Sequence, residues 1–171
     1  MAFFLETLIG GLMAGMLYSL VALGFVLIYK ASGVFNFAQG AMVFFAALTF
    51  VGITEMGVPF GFALILAFGA MILLAIATER VVLRPLVNQP QITLFMATIG
   101  LTFLIEGLAQ GMWGANVRGL EIPGIQDEPL EWMMENTGIG VSKFDLFAAG
   151  VSAILVVVLA VFFNKTRIGR A

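Results

Sequence analysis

The chain has 171 residues, 61% of them apolar and 11% charged, with a net charge of −2 and a mean hydropathy of +1.10. Soluble domains carry roughly 45–50% apolar and about 25% charged residues, so this composition excludes a soluble enzyme and leaves the membrane. With 0 Cys and 0 His there is no disulfide, thiolate or imidazole for catalysis or metal binding, and a negative net charge speaks against a nucleic-acid partner, which clustered Lys and Arg would hold.

The few charges divide the sequence into uncharged windows: Thr7 to Tyr29 (23 residues), Ala31 to Thr54 (24), Met56 to Thr78 (23), Pro85 to Ile105 (21) and Leu146 to Asn164 (19). A helix rises about 1.5 Å per residue, so about 20 residues cross the roughly 30 Å hydrocarbon layer. The expectation is an all-α polytopic transmembrane helical bundle of one domain, residues 1–171, with about five spanning helices over 7–29, 36–54, 56–78, 92–113 and 146–164.

The first window has no basic n-region, and its apolar stretch exceeds the roughly 7–15 residues of a signal peptide, so it is expected to stay in the mature protein. In it Thr7, Gly11, Gly15 and Ser19 recur at i+4, a small-residue stripe that lets another helix approach closely. Tyr18 stands beside it, either on a polar interior or as a packing anchor. The second window opens on Ser32, Gly33 and Asn36, which read as a turn, so the second helix is expected to start near Asn36. Asn36 and Gln39 place two carboxamides on one face between Gly33 and Gly40. They can satisfy a polar solute or an interrupted backbone, and capping of the helix start is the other reading for Asn36.

Gly57 and Gly61 begin a weaker packing pattern in the third window. A polar connector with Glu79, Arg80 and Arg84 follows, and Pro85, Asn88 and Pro90 push the next helix to about Gln91 or Leu94. In that fourth helix Thr98, Thr102, Glu106 and Gln110 recur at i+4. Each step rotates about 400°, so the row drifts about 40° per step and remains a polar stripe. A carboxylate within a span is costly unless it faces protein, water or a cation, so Glu106 is expected to point inward. It reads either as the wall of a polar route or contact for an ammonium group, or as a structural group bonded to a neighbouring helix or reaching for the headgroups.

The long polar stretch 114–143 is expected outside. Within it, Asp127 to Pro129 followed by Leu130 to Asn136 reads as a short interfacial helix carrying Trp132, Met133 and Met134, either a docking surface or a solvated connector. The fifth window then leads to Lys165, Arg167 and Arg170. With the N-terminus outside and the C-terminus cytoplasmic, the inner side carries Lys30, Arg80, Arg84, Lys165, Arg167 and Arg170, against Arg118 and Lys143 outside, which obeys the positive-inside rule.

Neither a phosphate loop of the G-x-x-x-x-G-K-[ST] type nor a Gly-x-Ser-x-Gly elbow is present in the sequence. No cofactor is expected. A few hydroxyls and carboxamides in an apolar bundle suit a small polar solute whose lost hydration must be replaced by dipoles.

Several blocks carry a resemblance. Gly15 to Gly24 (GMLYSLVALG), Ile28-Tyr29, Gly33-Val-Phe-Asn36-Phe-Ala-Gln39-Gly40, Glu79-Arg80-Val-Val-Leu-Arg84-Pro85-Leu86, Ala97 to Leu101 and Lys165 to Ala171 together resemble branched-chain amino acid ABC transporter permeases of the LivH type. The resemblance implies an inner-membrane importer. A periplasmic or exported substrate-binding protein delivers the solute, two permease subunits (this chain with a second permease subunit) form the passage, and two cytoplasmic ATPase subunits drive it. Two departures stand out. Family permeases commonly carry an acidic residue after the Asn-Phe-Ala-x-Gly block, where this chain has Ala41. The block ending at Ala171 leads, in the family, into a coupling loop and further helices, so the expectation is the N-terminal part of a longer permease. The alternatives are a permease of the same architecture for urea, amides or sugars, and a non-transporting membrane scaffold subunit; an intramembrane enzyme ranks behind both.

Overall fold

In the computed structural model the described residues are 2–119, Met134 and 140–165. Five long helices account for most of them: α1 (Ala2–Ser32), α2 (Gln39–Glu55), α3 (Phe60–Ala77), α4 (Gln91–Trp113) and α5 (Lys143–Lys165). Segments within α1, α3, α4 and α5 are long and apolar enough to cross a membrane, the α3 segment reaching on to Leu86, whereas α2 has 17 residues. At 1.5 Å per residue α2 reaches only about 25 Å, short of the roughly 30 Å layer.

The helix limits follow from local chemistry. Gly33, with φ +67°, ends α1 and donates its N–H to the Tyr29 carbonyl at 2.8 Å. This is the left-handed position that a residue without Cβ adopts at no steric cost. Pro59 and Pro90 stand just before α3 and α4 in extended conformation, where a missing N–H costs no helical bond. Ser142 opens α5: its Oγ accepts the Phe144 N–H at 3.1 Å, and Asp145 lies in the first turn, where the helix dipole favours an acid.

Two expectations change here. The second helix starts at Gln39 rather than Asn36, because residues 33–38 form an irregular turn of their own. The connector expected over Glu79, Arg80 and Arg84 is helical: α3 runs on through a π-helical turn, Thr78–Leu83, and a 3-10 turn, Arg84–Leu86. Pro85 sits in the first turn of that last piece, where it breaks nothing, and the chain departs only at Val87 (ψ 129°) and Asn88 (φ 74°).

The chain divides into two compact units, residues 25–120 and residues 1–24 with 121–171. In the first, α2 packs against both α3 and α4. Its core joins Ala38, Ala41 and Phe45 to Leu101, Ile105 and Ala109, flanked by Met71 and Leu74 of α3. The alanines allow the close helix approach that membrane packing relies on. In the second unit Ile9 and Met13 of α1 pack with Val141 and Ala149. Outward-facing side chains are large and apolar, Phe62, Ile65, Phe68 and Leu73 among them, the surface that lipid requires.

Candidate functional site

The lead-in turn of α2 is the first element of the site. Asn36 is buried; its Oδ1 accepts the Ala38 N–H at 3.1 Å, its Nδ2 reaches the Met42 sulfur at 3.8 Å, and its carbonyl accepts the Gln39 N–H at 3.3 Å. The side chain therefore closes a local turn just before the helix; the N-cap itself is Ala38 and has no side-chain cap bond, so Asn36 shapes the lead-in rather than capping α2. Gln39 is buried one turn onward. Aromatic rings brace this turn in series: Phe25 on Phe35 (5.8 Å), Phe35 on Phe37 (5.4 Å) and Phe37 edge-on to Phe95 of α4 (4.8 Å). Beside them opens a cleft of about 520 Å³ lined by Tyr29, Phe35, Phe37, Gln91 and Phe95.

The polar row of α4 is the second element. Leu101, Ile105 and Ala109 define the buried face, and Thr98, 1% exposed, lies on it. The 40° drift per step then carries the row off that face: Thr102 and Glu106 are half-buried and Gln110 is exposed. Thr98 Oγ donates to the Leu94 and Phe95 carbonyls at 3.0 Å each, and Thr102 Oγ to the Thr98 carbonyl at 3.1 Å. With their protons held by their own helix, both hydroxyls offer a solute acceptor lone pairs only. Among the described residues nothing donates a hydrogen bond to Glu106.

A second cleft, about 360 Å³, lies at the far end of α4, where Gln110, Asn116 and Arg118 face Phe44, Leu48 and Val51 of α2. Arg118 pairs with Glu55 and also donates to the Trp113 carbonyl. The Trp113 ring lies directly on Gly52, where a Cβ would overlap the indole. Two buried polar atoms close to this interface, Thr49 Oγ and Trp113 Nε1, have no hydrogen-bond partner among the described residues.

Other sequence candidates behave differently. Gly11 and Gly15 meet nothing within 4 Å of an added Cβ, and Ser19 Oγ donates to its own Met16 carbonyl at 2.7 Å. The stripe lies about 200° around α1 from Ile9 and Met13, the residues that pack. Gly57 is a turn residue with φ +84°, not a packing position, and Gly61 also faces open space. Tyr18 is 74% exposed. Glu79, Arg80 and Arg84 are exposed on the helical extension of α3. Arg167 and the interfacial helix expected over 130–136 lie outside the described residues, apart from Met134, which is helical and exposed.

Sequence reasoning missed the Arg118–Glu55 pair, the Gly52–Trp113 contact and the aromatic series. The two partners of the pair are 63 positions apart, and no local pattern links them. Gly52 and Trp113 carried a signal only in being a glycine within an apolar helix and a tryptophan at a helix end.

Taken together, long apolar helices with outward-facing hydrocarbon side chains and a sparse polar interior define a multi-pass membrane protein. Residues 7–171 match the family described as branched-chain amino acid transport system, permease component, and the chain belongs to that family. The chain is similar to the high-affinity branched-chain amino acid transport system permease protein LivH of Escherichia coli, 24% identical over 181 residues, covering 99% of this chain and 58% of that protein. LivH of Salmonella typhimurium is 23% identical with the same coverage. BraD of Pseudomonas aeruginosa, with the same description, is 25% identical over 180 residues, 98% of this chain and 57% of that protein. The chain thus spans less than two thirds of these relatives. No solved structure matches it.

Proposed function

We propose that the chain is the N-terminal portion of the membrane permease subunit of an ABC importer for branched-chain or related amino acids in the bacterial inner membrane. In this reading a second permease subunit completes the passage, two cytoplasmic ATPase subunits hydrolyse the ATP, and an exported binding protein delivers the solute. The family match over residues 7–171 carries it. The irregular lead-in over residues 33–38 and α2 together make the second of five crossings, and the N-terminus then lies outside and the C-terminus inside, as the basic residues favour. The polar path runs from Gln110 past Glu106 and Thr102 to Thr98, with Asn36 and Gln39 at its inner end.

The chemistry supports such a path. A zwitterion leaving water needs acceptors for its ammonium and donors for its carboxylate. Thr98 and Thr102 present acceptor lone pairs and Glu106 a carboxylate to the ammonium, the Gln110 carboxamide N–H groups can donate to the carboxylate, and the surrounding wall is apolar. Uptake of radiolabelled leucine by the full transporter in proteoliposomes tests this, with unlabelled leucine, urea and ribose as competitors. Competition by leucine alone is expected; competition by urea or ribose instead favours the other permease readings. Co-purification with an ATPase is expected and counts against a scaffold. Glu106→Gln should slow uptake about tenfold or more, the cost of replacing a charge-assisted bond by a neutral one. Unchanged uptake and substrate range in that variant would remove Glu106 from the path.

A further inference from the structure

The cleft at the far end of α4 has the chemical complement of a free amino acid, and nothing above assigns it a ligand. One wall is apolar, formed by Phe44, Leu48 and Val51. Gln110 and Asn116 line the cleft with dipoles, and Arg118 lines it with a cation. Glu55 stands one helical turn beyond Val51 and is tied to Arg118 at the rim. Its volume of about 360 Å³ is at the small end of the roughly 300–1,000 Å³ typical of ligand sites.

We infer that this cleft is a binding vestibule for a zwitterionic α-amino acid with an aliphatic side chain, Arg118 taking the carboxylate and Glu55 the ammonium. The inference rests on the amino-acid reading above and places a docking step before the α4 path. A guanidinium has five N–H donors; Arg118 uses Nη1 toward Glu55 and Nη2 toward the Trp113 carbonyl, leaving further donors for a carboxylate. Glu55 engages Arg118 through Oε2, and its other oxygen has no hydrogen-bond partner among the described residues. Its side chain is 49% exposed against 23% for Arg118, so the pair is reached from outside without being dismantled. A neutral ion pair beside a neutral zwitterion makes a ring of alternating charges with no net charge to desolvate, whereas a lone carboxylate or a lone amine leaves one member of the pair unmatched. Gln110 lines the same cleft and is the first member of the polar row, so the vestibule opens onto that row.

The sequence contains Trp113 and Trp132, so the full chain carrying Trp132→Phe in nanodiscs has Trp113 as its single indole reporter. L-Leucine should shift the Trp113 emission saturably, while 4-methylpentanoate and 3-methylbutylamine bind at least about tenfold more weakly, the effect of one lost charge-assisted bond. Glu55→Gln should bind leucine and 4-methylpentanoate equally, and Arg118→Gln should bind leucine and 3-methylbutylamine equally. A folding defect does not produce these opposite selectivities. Leu48→Trp, in which the fluorescence readout is replaced by binding of radiolabelled leucine, fills the apolar wall and should abolish binding with the ion pair intact. No saturable leucine binding in the parent chain, or unchanged selectivity in both charge variants, overturns the vestibule. Leucine uptake by the full transporter reports separately: wild-type KM in Glu55→Gln with no Trp113 response sinks the vestibule and leaves the importer, whereas selective binding without any leucine uptake sinks the importer and leaves the vestibule.

Discussion

Gly52 shows how little room the α2–α4 contact leaves. The Trp113 ring covers its Cα, and an alanine methyl there would overlap the indole. Gly52→Ala should therefore lower stability by about 1–3 kcal/mol, the usual cost of overpacking, read as a fall in the thermal midpoint in detergent micelles. An unchanged midpoint would mean that the ring moves aside freely. Asn36 gives a second residue-scale expectation. Because its Oδ1 holds the Ala38 N–H, Asn36→Ala should cost about 1 kcal/mol, and Asn36→Ser, which keeps a short acceptor, should recover most of that. If leucine uptake in the full transporter follows the same order as stability, Asn36 shapes the turn; if Ser restores stability without uptake, the carboxamide also meets solute. Ser32, Gly33 and Asn36 made this turn visible in the sequence, since small and carboxamide residues clustered at the edge of an apolar window favour a turn. The Arg118–Glu55 pair was invisible for the opposite reason: Glu55 is an ordinary charge at the end of α2, and Arg118 an ordinary charge in the irregular stretch after α4.

At the scale of elements, an ionised side chain is expensive in hydrocarbon, so charges tend to gather near helix ends, as Lys30, Glu55 and Lys143 do, while Glu106 sits inside α4. They were poor guides to where a helix stops winding. The extension from Thr78 to Leu86 is helical through a charged stretch, since exposed charges do not break hydrogen bonds and Pro85 occupies a first-turn position. Its π-helical turn has a testable consequence. A π turn accommodates one residue beyond the α-helical repeat, so deleting Val81, which is 72% exposed within that turn, should let Thr78–Leu83 relax toward an ordinary α-helix. Deleting Leu73 from the regular part of α3 instead rotates everything after it by about 100°. Thermal melting should find the Val81 deletion the less damaging of the two, and equal losses would show that the π turn holds no slack. Gly11 and Gly15 of the α1 stripe meet no neighbour among the described residues: small residues permit close packing without requiring it, and in this unit Ile9 and Met13 on the opposite side make the contact.

For the whole molecule, orientation in the bilayer is the property on which the proposed path, vestibule and ATPase contact all depend. α4 connects the stretch carrying Arg80 to the one carrying Val117, and it is long and apolar enough to cross. Those two positions must then lie on opposite sides of the membrane. The sequence contains 0 Cys, so single cysteines can be introduced without a background. Arg80 and Val117 are both exposed, and Val117 fully so. In intact cells a membrane-impermeant maleimide should label Val117→Cys and leave Arg80→Cys unlabelled until the membrane is permeabilised, because the excess of Lys and Arg on the Arg80 side favours the cytoplasm. Labelling of both in intact cells would mean that α4 does not cross, and the polar row would lose its claim to be a path. The reverse pattern would keep the crossing but turn the vestibule inward, so that the Arg118–Glu55 cleft would receive the amino acid after transport rather than before it.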